Sequence, residues 1–384
     1  MTEPAQPGTA TRGQDGRIRV AVLFGGRSSE HAVSCVTAAG VLKAMDRDRY
    51  DVVPVGITRS GQWVQMDDAR VQAFSLGGGT LPAIEDAHAT VVTAPGAGSH
   101  ELLVTAPGEP PRSLGSVDVV FPLLHGPFGE DGTIQGMLEL LGVPYVGAGV
   151  LASAVGMDKD FMKIVFQHAG LPVGPYEAIT DRQWAADRAA CLQRVGRLGL
   201  PVFVKPARAG SSMGITRVTD PAALEAAIET AREHDPKVVV EAGIVGREIE
   251  CAVLDRPSPE RPIASLPGEI VVADGQHTFY DFDAKYVDAQ AAALSCPADL
   301  PAGATARIRQ LAVEAFEAVA GEGLSRVDFF YTPEGDLIIN EINTMPGFTP
   351  ISMYPQMWAA TGIAYPELID QLLELALGRS TGLR

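Results

Sequence analysis

The chain has no uninterrupted apolar stretch approaching the roughly 18 residues that a membrane-spanning helix needs, so a soluble protein is expected. Cysteine is scarce. Cys35, Cys191, Cys251 and Cys296 lie far apart with no C-x-x-C pair, which argues against a zinc site and a disulfide framework, and all four are expected as buried thiols. No Gly-Lys pair occurs, so there is no Walker A loop, and no G-x-G-x-x-G supports a dinucleotide fold. Positive charge is in deficit: 30 Lys and Arg face 47 Asp and Glu, a formal net charge of -17. Such a chain repels polyphosphate backbones, so nucleic acid is not an expected partner, although a few local lysines can hold a small anion. Met1 to Gly16 lacks the apolar stretch of a secretory signal and is rich in Pro, Gly, Thr and Gln; a disordered leader on a cytoplasmic protein is expected.

What is present is ordinary globular composition, 46% hydrophobic and 20% charged, over 384 residues. That length exceeds what one core organises and suggests two or three domains with clefts between them. Arg17 to Phe24 reads as a buried strand, followed by the turn from Gly25 to Ser29 and a helix from Glu30 to about Met45. Strands at Val52 to Ile57 and Val117 to Leu124, and a helix from Thr133 to Leu141 stopped by Gly142, continue an alternation that favours a parallel α/β sheet over 17–150. Residues 77–116 resemble an insertion of turns and loose strands. From Pro201 the texture changes to strands and turns with a helix capped by Asp220-Pro221, a small mixed lid unit over 151–240. The remainder, 241–384, carries a strand at Glu248 to Leu254, a polar loop at Tyr280 to Asp288, a helix near Ala304 to Ala320, a strand pair and a closing helix.

That strand pair, Ser325 to Tyr331 and Leu337 to Asn343, is the most informative segment. Side chains alternate along a strand, so Arg326 and Asp328 share one face, and Glu341 and Asn343 share another. A four-residue turn, Thr332 to Gly335, would set Tyr331 opposite Asp336 and Arg326 opposite Glu341, with Asp328 diagonal to Glu341. Two carboxylates and an amide oxygen are hard ligands suited to Mg²⁺, with Arg326 left to stabilise a phosphoryl group or oxyanion. Read alone, the same residues also describe a salt-bridged surface hairpin.

A second segment, V-K-P-A-R-A-G-S-S-M-G from Val204 to Gly214, places a lysine at a strand end before a small-residue loop whose backbone N–H groups can wrap phosphate oxygens. Its Gly210-Ser211-Ser212-Met213-Gly214 also matches the G-x-S-x-G elbow of serine hydrolases. An elbow needs a helix after it, whereas I-T-R-V here reads as another strand, so the loop is expected to join a hairpin.

Taken in order, these segments resemble the D-alanine:D-alanine ligases of the ATP-grasp superfamily. The resemblance runs from F-G-G-R-S-S-E-H at Phe24 through L-H-G-P-F-G-E-D-G-T-I-Q-G at Leu124, M-D-K at Met157 and the Val204 loop. It continues through E-A-G-I-V-G-R-E-I-E at Glu241, F-Y-D-F-D-A-K-Y at Phe279 and N-E-I-N-T-M-P-G-F-T-P-I-S-M-Y-P ending at Pro355.

The resemblance implies an N-terminal parallel α/β domain followed by a two-part ATP-grasp fold, with ATP between the central and C-terminal parts. It implies that Lys159 and Lys205 contact the phosphates and that Ser212 and Lys285 also bind ATP, with Glu241, Ile244 and Glu248 around adenine and ribose. Asp328, Glu341 and Asn343 match the metal ligands, for two Mg²⁺ or Mn²⁺ ions with ATP and a possible monovalent cation. Arg326 matches the arginine that stabilises the tetrahedral intermediate. Glu30 matches the anchor for the ammonium of the first D-alanine, in a hydrogen-bonded set with Ser211 and Tyr286 on a loop expected to close as a lid; as a carboxylate at a helix start, Glu30 is also sound on its own. Ser352 and the Met353 backbone match the carboxylate site of the second D-alanine, and His125 and Glu130 lie in matching motifs. Ala242 departs from the family pattern, which often has a charged residue there. The implied reaction joins two D-alanines through a D-alanyl phosphate for peptidoglycan precursor synthesis, in a homodimer. The alternatives are a ligase that accepts D-lactate, against which Tyr286 in the lid speaks, and an inactive nucleotide-binding regulator, against which the retention of Arg326, Asp328 and Glu341 speaks.

Overall fold

The structure, a computed structural model, describes residues 16–76, 81–93, 100–211, 213–272 and 292–380. Ile18–Gly25 is an almost uninterrupted run of buried side chains, as a strand covered on both faces requires. It pairs in parallel with Tyr50–Ile57 on one side and Val119–Pro122 on the other, and Trp63–Gln65 adds an antiparallel edge. The chain then turns sharply through Gly25 and Gly26, both at positive φ. A Cβ on Gly25 would sit 2.4 Å from the Ile57 carbonyl, so only glycine fits. The helix that follows begins at His31, one residue later than the sequence suggests, with Glu30 as its N-cap residue.

Residues 77–116, expected as loose strands, contain an antiparallel meander, Thr90–Thr93, Glu101–Thr105 and Arg112–Ser116. Its Val91, Leu102 and Leu114 bury against Ala21, Leu23 and Val120 of the first sheet.

A second sheet is wholly antiparallel, in the order Thr216–Val218, Val202–Pro206, Val238–Ala242, Tyr176–Ile179. Thr216–Val218 pairs back onto Val202–Val204, so the loop at 207–215 does join a hairpin and the nucleophile-elbow reading fails. Asp220 caps the turn at Pro221–Ala223 that leads into the helix Leu224–Arg232. That helix packs Ile228 against Val204 and Val240 in a core that also holds Trp184.

The third sheet runs Ala292–Ser295, Gly268–Val272, Arg247–Leu254, Leu324–Tyr331, Leu337–Asn343. Odd-numbered residues of Arg247–Leu254 and Leu324–Tyr331, Ile249, Cys251, Val253, Val327 and Phe329, bury under the helix Ala302–Ala318. The even-numbered ones, including Glu248, Glu250, Arg326 and Asp328, face a cavity on the other side. The C-terminal helices Met353–Thr361 and Tyr365–Gly378 fold back onto the first sheet, where Tyr354, Trp358 and Leu372 share a core with Val22, Phe24 and Val41. The N-terminal unit reaches the cavity through Glu30 and the helix His31–Ala44, and the third sheet through its even-numbered strand residues. Cys35, Cys191 and Cys251 are buried free thiols; Cys296, expected to be buried too, is half-buried at the end of an edge strand.

Candidate active site

The hairpin at the cavity wall differs from expectation in register. Tyr331 faces Leu337, not Asp336, and the ladder shifts between Asp328 and Phe329 so that Asn340 is an extra residue. The longer turn alone would put Asn340 opposite Asp328 and send Glu341 and Asn343 to the helix-covered face. The bulge reverses that parity. Asp328 therefore stands directly opposite Glu341, and Arg326 opposite Asn343, where Arg326 opposite Glu341 was expected.

Arg326 binds Asp328 with both Nε and Nη2 at 2.7 Å, and its Nε lies 3.1 Å from Glu250 Oε2. Burial would lower its pKa, but Asp328, Glu250 and Glu341 together raise it well above the ordinary value, so the guanidinium stays charged. The Asn343 amide donates to Asp328 Oδ2 at 3.0 Å. Three carboxylates thus surround one arginine, an excess of negative oxygen that suits a hard divalent cation.

Three lysines also line the cavity. Lys159 and Lys163 lie one turn apart on the helix Lys159–His168, whose start is fixed by Asp158 accepting from the Asp160 and Phe161 N–H groups. Burial lowers the Lys159 pKa, and its Nζ donates to the Ala209 carbonyl at 2.9 Å, at the base of the Val204 loop. Lys205 lies 2.5 Å from Glu241 Oε2, and Lys163 lies 3.1 Å from Glu241 Oε1. Burial pushes the Glu241 carboxyl up, but the two ammonium groups overcome it and hold it at about 2. Lys205 is likewise kept charged against burial by Glu241 and Glu341.

At the far end Glu30 is buried, and the Ser211 hydroxyl donates to its Oε1. Its Oε2 is closely approached from two sides, since a Cβ on Gly126 would fall 2.5 Å away and one on Gly210 2.4 Å away. The His125 ring meets the Met345 carbonyl at 3.1 Å and Thr37 Oγ1 at 3.3 Å, and burial lowers its pKa. Glu130 accepts from the Gly126 N–H at 2.6 Å and the Met345 N–H at 3.0 Å; burial and the Glu30 charge raise it to about 8. Ser352 precedes the helix Met353–Thr361 and its Oγ accepts from the Thr349 N–H at 3.1 Å.

Glu30, His125, Glu130, the three lysines, Ser211, Glu241, Glu250, Arg326, Asp328, Glu341, Asn343 and Ser352 line one cavity of about 1270 Å³, together with Ile244, just after the second sheet's Val238–Ala242, and Glu248 of the third sheet. Ser212, Lys285 and Tyr286, and with them the expected lid, lie outside the described residues. Two cavity residues escaped the sequence reading although a periodic signal existed. Lys163 is four positions beyond Lys159 on a helix, and Glu250 is two beyond Glu248 on a strand, so each shares its neighbour's face.

The chain is similar to known proteins along most of its length. Residues 19–148 match the family model described as D-ala D-ala ligase N-terminus, and residues 165–374 the one described as D-ala D-ala ligase C-terminus. A D-alanine–D-alanine ligase of Pseudarthrobacter chlorophenolicus is 68% identical over 366 residues, covering 95% of this chain and 96% of the relative. One of Kineococcus radiotolerans is 58% identical over 373 residues, covering 95% and 98%. Among solved structures, the D-alanine-D-alanine ligase from Coxiella burnetii has a TM-score of 0.77 at 36% identity and covers 94% of both chains. The VanG D-Ala:D-Ser ligase from Enterococcus faecalis has a TM-score of 0.79 at 36% identity, covering 94% of this chain and 99% of its own. The fold is the expected one, an N-terminal α/β unit followed by an ATP-grasp fold. Both halves match their models and relatives align over nearly their whole length, so the chain belongs to the D-alanine–D-alanine ligase family.

Proposed function

We propose that this chain joins two molecules of D-alanine into D-alanyl-D-alanine at the expense of ATP, through a D-alanyl phosphate, to supply peptidoglycan synthesis. The observation that carries the reading is the convergence on one cavity of Glu30, three lysines, Arg326 and the Asp328, Glu341, Asn343 set. D-alanine is favoured over D-lactate as acceptor because relatives at up to 68% identity bear the D-alanine–D-alanine ligase name.

Joining two zwitterions in water is uphill, so a carboxylate must first be activated. Glu30 holds the ammonium of the first D-alanine and so orients its carboxylate toward the phosphate end of the cavity, where catalysis is mainly positioning and charge neutralisation. Lys159 and Lys205 hold the phosphates, with Ser212 and Lys285 as further contacts; Glu241, Ile244 and Glu248 hold the nucleoside. Asp328, Glu341 and Asn343 fit Mg²⁺ or Mn²⁺, two ions with ATP. When bound, these cations neutralise charge on the transferring phosphoryl group. Ser352 and the Met353 backbone receive the carboxylate of the second D-alanine, with His125 beside them. As its deprotonated amine attacks, Arg326 and the backbone near Gly347 stabilise the oxyanion, and phosphate leaves. Tyr286 completes the Glu30, Ser211 set on a lid that excludes water.

We further propose three units, 17–150, 151–240 and 241–384, assembled as a cytoplasmic homodimer. Among the described residues no helix is long and apolar enough to cross a membrane. The deciding experiment measures ADP release with ATP and Mg²⁺ on D-alanine, on L-alanine, and on D-alanine with D-lactate, with products identified by mass. D-alanine-dependent ADP and D-alanyl-D-alanine are expected. Dominant depsipeptide at neutral pH, or no turnover, would overturn the reading.

A further inference from the structure

The buried lysine that joins the nucleotide wall to the metal-binding hairpin has no part in the reaction described so far. Lys163 has a side chain only 3% exposed, and its ammonium meets two groups. One is Glu241 Oε1 at 3.1 Å, on one of the two inner strands of the second sheet. The other is the main-chain carbonyl of Asn340 at 3.3 Å, and Asn340 is the extra residue that sets the parity of Glu341 and Asn343. The Tyr176 ring, 5.7 Å away, covers the ammonium.

Burying an ammonium costs several kcal/mol unless its partners are well placed, and an apolar residue would serve packing alone at least as well. The extra residue of a bulge falls out of the regular ladder, and here its carbonyl accepts from a charge instead. Lys163 is itself rigidly placed, because Asp158 caps its helix and is in turn held by Lys237 Nζ at 2.6 Å. One fixed cation therefore holds a carboxylate in the nucleotide wall and the backbone turn-point of the carboxylate pair Asp328 and Glu341.

We propose that Lys163 is a positioning residue that couples the nucleotide seat to the register of the metal-ligand hairpin, acting through Glu241 and the Asn340 bulge. The inference rests on the reading of Glu241, Asp328, Glu341 and Asn343 given above, and deepens it.

The test compares wild type with Lys163→Met, which keeps length and removes charge, and Lys163→Arg, which keeps charge but not the point geometry. Mn²⁺ binding in the presence of a non-hydrolysable ATP analogue is followed by electron paramagnetic resonance, and analogue affinity by calorimetry. Lys163→Met is expected to weaken both by about tenfold or more, as loss of an outer-shell partner typically does, and Lys163→Arg by less. The KM for D-alanine at saturating ATP and Mg²⁺ is expected to change by less than about twofold, because Glu30 and Ser211 are untouched. A folded Lys163→Met with wild-type Mn²⁺ affinity overturns the coupling, whether or not nucleotide affinity falls. Should that variant not fold, Lys163→Arg with wild-type affinity for both overturns it equally. Absence of ligation by the wild type would sink the ligase reading while leaving the Mn²⁺ comparison valid.

Discussion

The Ser211 hydroxyl donates a hydrogen bond to the Glu30 carboxylate across 181 positions of sequence, tying the N-terminal α/β unit to the loop of the second sheet. Ser211 takes a positive φ of 46° to do so, in a conformation that a hydroxyl-bearing residue tolerates poorly unless held there.

Gly210→Ala tests how tightly that carboxylate is held. The new methyl would stand 2.4 Å from Glu30 Oε2, closer than two such atoms can approach. The carboxylate must therefore leave its place, and with it the proposed anchor for the ammonium of the first D-alanine. A rise of about tenfold or more in KM for D-alanine is expected, with the melting temperature nearly unchanged because the site is at a cavity edge. Steady-state kinetics at saturating ATP measures it, and an unchanged KM would show that Glu30 does not anchor substrate.

How much of this was legible beforehand varied by the range of the interaction. Strand parity alone placed Arg326 with Asp328 and Glu341 with Asn343, because a two-residue period is local. Which residues face each other was not local. It depended on a turn one residue longer than expected and on the Asn340 bulge, and no residue type in I-I-N-E-I-N marks a bulge. The first sheet was readable from its buried β-branched runs, whereas the return of Met353–Thr361 and Tyr365–Gly378 onto it depends on long-range packing of Tyr354 and Trp358. The central loop was assigned to a hairpin correctly from I-T-R-V, since the absence of a following helix is a local signal. Lys163 and Glu250 went unread for a different reason. Their periodic relation to Lys159 and Glu248 was present in the sequence but carried no motif.

Asp328→Asn should separate the two duties of the hairpin. Asp328 is bonded twice by Arg326 at 2.7 Å, and Glu250 remains 3.1 Å away to keep the guanidinium charged when the negative charge is removed. Folding should survive, while kcat falls by about 10² to 10³ as an electrostatic partner of the transferring group is lost. The Mg²⁺ concentration for half-maximal rate should rise. A variant with normal Mg²⁺ dependence would remove Asp328 from the ligand set.

Glu241→Gln leaves the Lys163 and Lys205 ammonium groups buried without their shared anion. Breaking such a pair costs about 3–5 kcal/mol, so a clear drop in melting temperature is expected, partly restored by saturating ATP, whose phosphates supply negative charge. The sign with pH follows from linkage. Glu241 is held at about 2 against 4.5 when unfolded, so its contribution is present above 4.5 and is lost as pH falls toward 2. Melts from pH 7 down to 3 should therefore show the gap between wild type and variant closing in acid, and a constant gap would count against the pairing.

Glu130 carries the opposite sign. Burial and the nearby Glu30 charge raise its carboxyl from 4.5 to about 8, opposed by the Gly126 and Met345 N–H groups that it accepts at 2.6 and 3.0 Å. In this window the folded protein holds a proton that the unfolded chain has released. Its stabilising contribution is thus full below 4.5 and is lost as pH rises through about 8. Glu130→Gln has no such proton and no such slope. It forfeits one backbone acceptor, which lowers its stability by about 1 kcal/mol at every pH and cannot mimic a trend. Urea unfolding at pH 5, 7 and 9 should therefore show wild type losing on the order of 1–4 kcal/mol relative to the variant across the series. Parallel curves would mean that Glu130 is ionised throughout, and that the two backbone donors outweigh burial beside Glu30.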